Sequence, residues 1–226
     1  VEEGLEGGMV ATAVNLSPLP PEVFDAIGPY VHACKMMGSM ASQILGHTPK
    51  SLKVELAGGL ADADPAPLLA AVLDGGLSYR RLGAFSAANA ESVASQHGIS
   101  VTTASVRDAG EYASSVRIVA DEVEVAATLF GTEHTPRIIS LMGYKIDIAP
   151  ATTSLVFEYV DAPGRIGVIG TILGEAAANI TTMQIGTKPE ESCALVYMNV
   201  EGDVSEAVLD RLRGAIDLRN LWKITL

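Results

Sequence analysis

The chain has 226 residues, of which 48% are hydrophobic, enough for one large domain or two small ones with real cores. Lys plus Arg is 15 and Asp plus Glu is 27, a net charge of −12. That balance excludes a general binder of nucleic acid or of anionic membranes, and only 5% aromatic residues argue against base-stacking platforms.

The first residue is Val1, and Val1 to Gly8 reads like a loop from inside a longer chain. No basic-then-apolar stretch of a signal peptide is predicted there. Met9 to Leu16 is a short apolar run, and Ser17-Pro18-Leu19-Pro20-Pro21 is a hinge. Pro20-Pro21 opens a predicted helix over about residues 22–45, because Pro is tolerated in a first helical turn. Val23, Ile27, Tyr30, Val31, Cys34, Met37, Met40, Ala41 and Ile44 recur at its spacing. Gly28-Pro29 is expected to kink or divide it, and Gly46 to stop it.

Residues 50–150 read as a mixed α/β unit. Leu52, Val54 and Leu56 alternate with Lys53 and Glu55, as in a half-buried strand. Short helices are predicted over 65–73, with Asp64 as cap, and over 86–97, stopped by Gly98. Strands follow over 99–106, 114–120, 123–130, 137–142 and 144–148, with turns at Gly131 and Gly143. Residues 152–226 give a βαββαβ pattern: strands over 154–160, 180–186, 192–200 and 221–226, and helices over 166–178 and 205–215. This split arrangement predicts an antiparallel sheet covered by helices on one face. An uncovered edge strand of so small a sheet invites pairing with a second copy.

Cys34 and Cys193 lack neighbours at zinc-ligand spacing and are expected to be buried, reduced thiols. No stretch approaches the roughly 20 apolar residues of a membrane helix. His32, His47, His97 and His134 fall in or at the ends of helices or in a turn, and read as structural or solvated.

The most informative segment is Tyr159-Val160-Asp161-Ala162-Pro163-Gly164-Arg165-Ile166. A strand ends at Asp161, Pro163 fixes φ, Gly164 permits a tight turn, and a helix begins. Its N-terminal N–H groups favour a carboxylate. Asp161 beside them has two readings, the cap of that helix or the acceptor of an ammonium group. Gly164, Gly167 and Gly170 are spaced GxxGxxG, which is not a dinucleotide fingerprint. Gly167, Gly170 and Gly174 share a helix face and are expected to let the helix pack closely on the sheet.

Asp161-Ala162-Pro163-Gly164, the helix to Leu173-Gly174, and Ala178-Asn179-Ile180 resemble the ACT domain, an amino-acid-sensing module. Asn89-Ala90 and His97-Gly98-Ile99 resemble the intervening domain of the long-form D-3-phosphoglycerate dehydrogenases. Ala13-Val14-Asn15 and Gln43-Ile44-Leu45-Gly46 resemble the last segment of the catalytic portion of those enzymes. The resemblance implies an α/β (α+β) chain in three parts: a helical tail of the catalytic portion over 1–49, a mixed α/β intervening domain over 50–150, and a ferredoxin-like ACT domain over 151–226. It implies L-serine as feedback effector, with Tyr159, Asp161 and Asn179 as ligands. Asp161 takes the ammonium and Asn179 reaches across a dimer interface. Pro163, Gly164, Arg165 and Ile166 shape the turn whose N–H groups hold the carboxylate.

Arg137 matches a basic position of an anion site that the intervening domain can carry. Tyr144 and Ala149 stand where two further basic residues occur, so Arg137 reads more readily as a solvated surface charge. The implied partners are the rest of the dehydrogenase chain and a second copy, in a cytoplasmic homodimer or tetramer. The implied cofactor is NAD for the parent enzyme and none for this portion, which lacks the nucleotide loop and catalytic set and is expected to be inactive alone. Two other readings stay open. The smaller subunit of an iron–sulfur L-serine dehydratase has a similar pair of domains, but two cysteines cannot supply four thiolates, so a cluster-bearing partner chain would be needed. The third reading is a structural oligomerisation module that has lost its ligand.

Overall fold

The computed structural model describes residues 21–78, 85–188, 190 and 192–226. The predicted apolar run over 9–16 and the hinge up to Pro20 lie outside them. Two compact units divide the chain, Val1–Arg137 and Ile138–Leu226.

In the first unit, α1 (Pro21–Leu45) runs through Pro29, so Gly28-Pro29 does not divide it. Its core face carries Ile27, Tyr30, Cys34, Met37 and Met40, all buried, at the spacing of the sequence pattern. Gly46, with φ of 70°, ends it by donating to the Ser42 carbonyl at 3.0 Å. β1 (Ser51–Gly58) follows, then α2 (Ala66–Ser78), which is longer than predicted. The Asp64 carboxylate accepts from the Ala66 N–H at 3.0 Å, the cap read from the sequence. α3 (Ala90–Gln96) is shorter than predicted, because residues 86–89 form a turn in which the Ser86 N–H donates to the Asn89 side-chain oxygen at 2.7 Å.

β2 (Ser100–Val106), β3 (Ser114–Ala120), β4 (Val123–Phe130), β5 (Thr135–Leu141) and β6 (Tyr144–Ile148) complete a sheet of order β2-β1-β3-β4-β5-β6. β1 runs parallel to β2 and antiparallel to β3, so the sheet is mixed. The unit boundary falls inside β5.

α1 and α2 meet backbone to backbone. A Cβ built on Gly38 would lie 2.0 Å from the Val72 carbonyl oxygen, and one on Gly75 would lie 1.9 Å from that of Lys35. Lys35 and Asp74 bridge the same crossing at 2.8 Å.

The turn between β3 and β4 holds a second local device. Asp121 sits at φ of 48°, a conformation that Asp tolerates. Its carboxylate accepts from the Lys50 and Ser51 N–H groups and the Ser51 hydroxyl, at 2.9–3.1 Å. Partial burial pulls its pKa up, but those bonds and the nearby His47 outweigh it, and the net shift is downward. A depressed carboxylate stabilises the fold above its unfolded value and loses that contribution as pH falls through the folded one. Asp121→Asn is therefore expected to be less stable than the parent at pH 7. The gap should narrow as the pH falls below the ordinary carboxylate range and through the lowered folded value, as read by urea unfolding at neutral and at acid pH. A gap of equal size at both would show that the charge is not what matters.

The second unit contains β7 (Thr153–Val160), α4 (Arg165–Glu175), β8 (Asn179–Lys188), β9 (Cys193–Glu201), α5 (Glu206–Ala215) and β10 (Leu218–Thr225). The strands form an antiparallel sheet of order β10-β7-β9-β8. α4 and α5 cover one face. Ile169, Ile172 and Leu173 of α4 and Val208, Leu209 and Leu212 of α5 pack on Leu155, Phe157, Val196 and Met198. The other face is buried as well, through Val156, Cys193, Leu195 and Tyr197. Gly186 of β8 backs directly onto β6, where a Cβ would lie 2.8 Å from the Lys145 carbonyl oxygen. Asn199, buried, ties the preceding connection to β9. It donates to the Ala149 carbonyl at 2.8 Å and accepts from the Ser154 hydroxyl and the Ala151 N–H.

One expectation is overturned. Gly167, Gly170 and Gly174 do not pack α4 on the sheet, because a Cβ at any of them would meet nothing within 4 Å. The core stripe of α4 is Ile169, Ile172 and Leu173, and the glycines lie off it. Cys34 and Cys193 are buried free thiols, and burial pushes the Cys34 thiol well up. No described helix is long and apolar enough to cross a membrane.

Candidate functional site

The end of β7 and the start of α4 frame an open cleft of about 510 Å³. Tyr159, Asp161, Ala162, Pro163, Gly164 and Arg165 line it, joined by Ile166, Gly167 and Ile185. The local fold follows from chemistry already visible in the sequence. Gly164 adopts φ of 89°, a left-handed conformation that other residues resist, and it caps α4. No side chain caps the helix, so Asp161 is not its cap. Asp161 is instead exposed: its backbone N–H donates to the Ser192 carbonyl at 3.1 Å, and its carboxylate has no partner among the described residues.

The N-terminus of α4 leaves donors unmet. The Arg165 N–H turns to the Ala162 carbonyl at 3.4 Å, and the Val168 N–H closes the first helical bond on Gly164. The N–H groups of Ile166 and Gly167, between them, have no acceptor within the helix. They carry the positive end of the helix dipole.

Tyr159 is 1% exposed and belongs to the core cluster, yet it lines the cleft, and its hydroxyl has no hydrogen-bond partner among the described residues. Burial raises its pKa, the Asp161 charge raises it further, and Arg165 lowers it, so the phenol lies within the field of both charges. Asp161 and Arg165 line one cleft without forming an ion pair.

The structure thus gathers Tyr159, Asp161, Pro163, Gly164, Arg165 and Ile166 around one space. Asn179 is exposed at the start of β8 and does not line the cleft. Arg137 stands elsewhere, on β5, with its guanidinium 5.6 Å from the centre of the Phe130 ring. β6 alternates as the sequence implied, with Tyr144 buried and Lys145 exposed. A basic group that sequence reasoning missed does reach Tyr144: Lys188 lies 4.2 Å from the ring centre. Ile185 was missed too. Its pairing with Val196 places it on the helix-covered face, and it is 42% exposed there on the edge strand of the sheet. Among the described residues no group of three or more His, Cys, Asp or Glu could hold a metal ion.

A family model described as the D-3-phosphoglycerate dehydrogenase intervening domain matches residues 26–142. The chain belongs to that family. Curated D-3-phosphoglycerate dehydrogenases align along the whole chain. The protein of Methanocaldococcus jannaschii is 24% identical over 228 residues, covering 100% of this chain and 43% of its own length. That of Mycobacterium bovis is 27% identical over 231 residues, again 100% of this chain and 43% of its own. That of Bacillus subtilis is 26% identical over 224 residues, or 98% and 43%. The chain therefore spans less than half the length of these dehydrogenases. The family model ends at residue 142, before the cleft.

Proposed function

We propose that this chain is the regulatory part of a D-3-phosphoglycerate dehydrogenase, and that residues 151–226 form an ACT domain that binds L-serine as feedback effector. The carrying observation is the set of groups in the cleft that have no partner among the described residues: the Asp161 carboxylate, the Tyr159 hydroxyl and the N–H groups at the start of α4. A carboxylate a few residues from a helix N-terminus, with neither neutralised by the protein, suits an α-amino acid. Its ammonium group faces Asp161 and its carboxylate faces the helix. The strand order supports a ferredoxin-like layout, because the first and third strands of the βαββαβ unit lie in the centre and the second and fourth at the edges.

In this reading the effector site is completed by a second copy. β8 is an edge strand. Antiparallel pairing of two β8 strands about a twofold axis carries the second copy's Asn179 toward the Ile185 end of the first, beside the cleft. Serine then bridges two chains, and binding and association strengthen each other.

The parent reaction in this reading is the NAD-dependent oxidation of 3-phosphoglycerate to 3-phosphohydroxypyruvate in the cytoplasm, the first step of L-serine biosynthesis. The described residues do not fit NAD. The glycine-bearing turn at Gly164 leads from β7 into a helix and then into β8, which pairs with β9 and not in parallel with β7. NAD is therefore assigned to the rest of a longer dehydrogenase.

Isothermal titration calorimetry with L-serine tests the proposal. The chain is expected to bind with release or uptake of heat and to gain thermal stability. Asp161→Ala is expected to weaken binding at least about tenfold, because a charged hydrogen-bond partner is lost. No heat and no thermal shift at millimolar serine would contradict the proposal, and a chain that dimerises but ignores serine would be a structural module. Unchanged affinity in Asp161→Ala would place the ligand elsewhere.

A further inference from the structure

Arg165 opens α4 and lines the cleft beside Asp161, but the two charges do not pair. It is half-buried, and its Nε is enclosed without a hydrogen-bond partner. Such a group is held in place without having its donors met. Its backbone N–H is already directed to Ala162, which removes it from the donors that α4 offers to a ligand. The side chain is what remains of Arg165 to act on the cleft. Tyr159, 1% exposed, lines the same space.

A zwitterion brings one charge of each sign. Asp161 answers the ammonium. For the carboxylate the cleft offers the Ile166 and Gly167 N–H groups and, in addition, a guanidinium. A guanidinium is a planar fork of donors that matches a carboxylate and remains charged at any pH the protein survives. With both engaged, the ligand and the cleft neutralise each other pairwise. With only the ammonium engaged, Arg165 is left as an uncompensated cation.

We propose that the Arg165 side chain binds the ligand's carboxylate and sets the specificity of the cleft for α-amino acids over amines that lack a carboxylate. The proposal rests on the amino-acid reading of this cleft and deepens it by assigning a specificity residue. The competing role is purely structural, with the aliphatic stem of Arg165 covering the start of α4.

The experiment compares L-serine and L-serinamide, which differ in the carboxylate alone, by calorimetry on the full chain and on Arg165→Met and Arg165→Lys. Arg165→Met keeps the stem and removes the charge, and thermal melting of each variant confirms the fold. The parent chain is expected to bind serine at least about tenfold more tightly than serinamide. In Arg165→Met, serine affinity falls by about that factor, serinamide affinity stays, and the preference shrinks toward what the backbone donors alone provide. Arg165→Lys recovers part of it, because the charge returns without the fork. A folded Arg165→Met with an unchanged serine-to-serinamide ratio overturns the proposal, and so does an equal loss for both ligands. If the parent ignores serine but binds another α-amino acid from a panel of glycine, alanine and valine, the same comparison is made with that amino acid and its amide. The serine reading then fails while the role of Arg165 stands or falls on its own ratio. Binding of no α-amino acid at all overturns both.

Discussion

Gly38→Ala and Gly75→Ala are each expected to destabilise the first unit by about 3 kcal/mol, at the upper end of what overpacking usually does. One methyl group has this effect because of what it would strike. The nearest atoms are the Val72 and Lys35 carbonyl oxygens, at 2.0 and 1.9 Å, and both are helix backbone. A side chain in the way can rotate, whereas a carbonyl locked in a helical hydrogen bond cannot. The helices must separate by more than an ångström, which opens the apolar packing of Ala41 with Val72, Leu73 and Leu77, all buried. In an exposed helix the same changes would stabilise, since Ala is the better helix former by about 1 kcal/mol. The sign of the effect therefore reports the crossing directly. Urea unfolding followed by far-ultraviolet circular dichroism measures it, and a neutral or stabilising Gly38→Ala would contradict the backbone contact between α1 and α2.

Gly186→Val carries the second large effect, expected at about 2–3 kcal/mol in the second unit. Valine suits a strand by propensity, so local preference predicts a gain. The obstruction is β6, whose Lys145 carbonyl oxygen and Tyr144 Cβ lie 2.8 and 2.9 Å from the position of the new Cβ. Displacing β6 also disturbs Tyr144, which is buried and whose hydroxyl donates to Glu158 at 2.9 Å. The same carboxylate receives Asn220 of β10 at 2.8 Å, so the strain spreads across the sheet. Gly170→Ala is the control: it lies in the same unit, a Cβ there meets nothing, and α4 is expected to gain stability slightly. Equal losses at the two positions would mean that crowding is not the cause.

These glycines also mark where the sequence could be read and where it could not. The bounds of β3, β4 and β6 emerge unchanged from alternation and turn residues, because both signals are local. The stop at Gly46 and the cap at Asp64 are legible for the same reason. Which glycine is crowded is not a local question. Gly167, Gly170 and Gly174 repeat on a helix and invite a packing role they do not have, while Gly38, Gly75 and Gly186 have one that only the crossing partner reveals. A glycine in a helix interior lowers helix stability, and at Gly38 that was the available clue.

The candidate site divides in the same way. Tyr159, Asp161, Pro163, Gly164, Arg165 and Ile166 are near neighbours in sequence and meet in space because one strand–turn–helix carries them. Ile185 joins them through strand order, which the pattern of apolar residues does not encode. The reading of Asp161 as the helix cap is overturned by a backbone feature, the left-handed Gly164 that takes the cap position.

We propose that the cleft at the start of α4 holds an amino acid by its two charges. A titration of the ¹⁵N-labelled chain with L-serine, followed by amide NMR, tests it most directly. The Ile166 and Gly167 amide signals are predicted to move downfield and saturate together, as free N–H groups acquire a carboxylate. Saturable shifts elsewhere, with these two amides unmoved, would contradict the account.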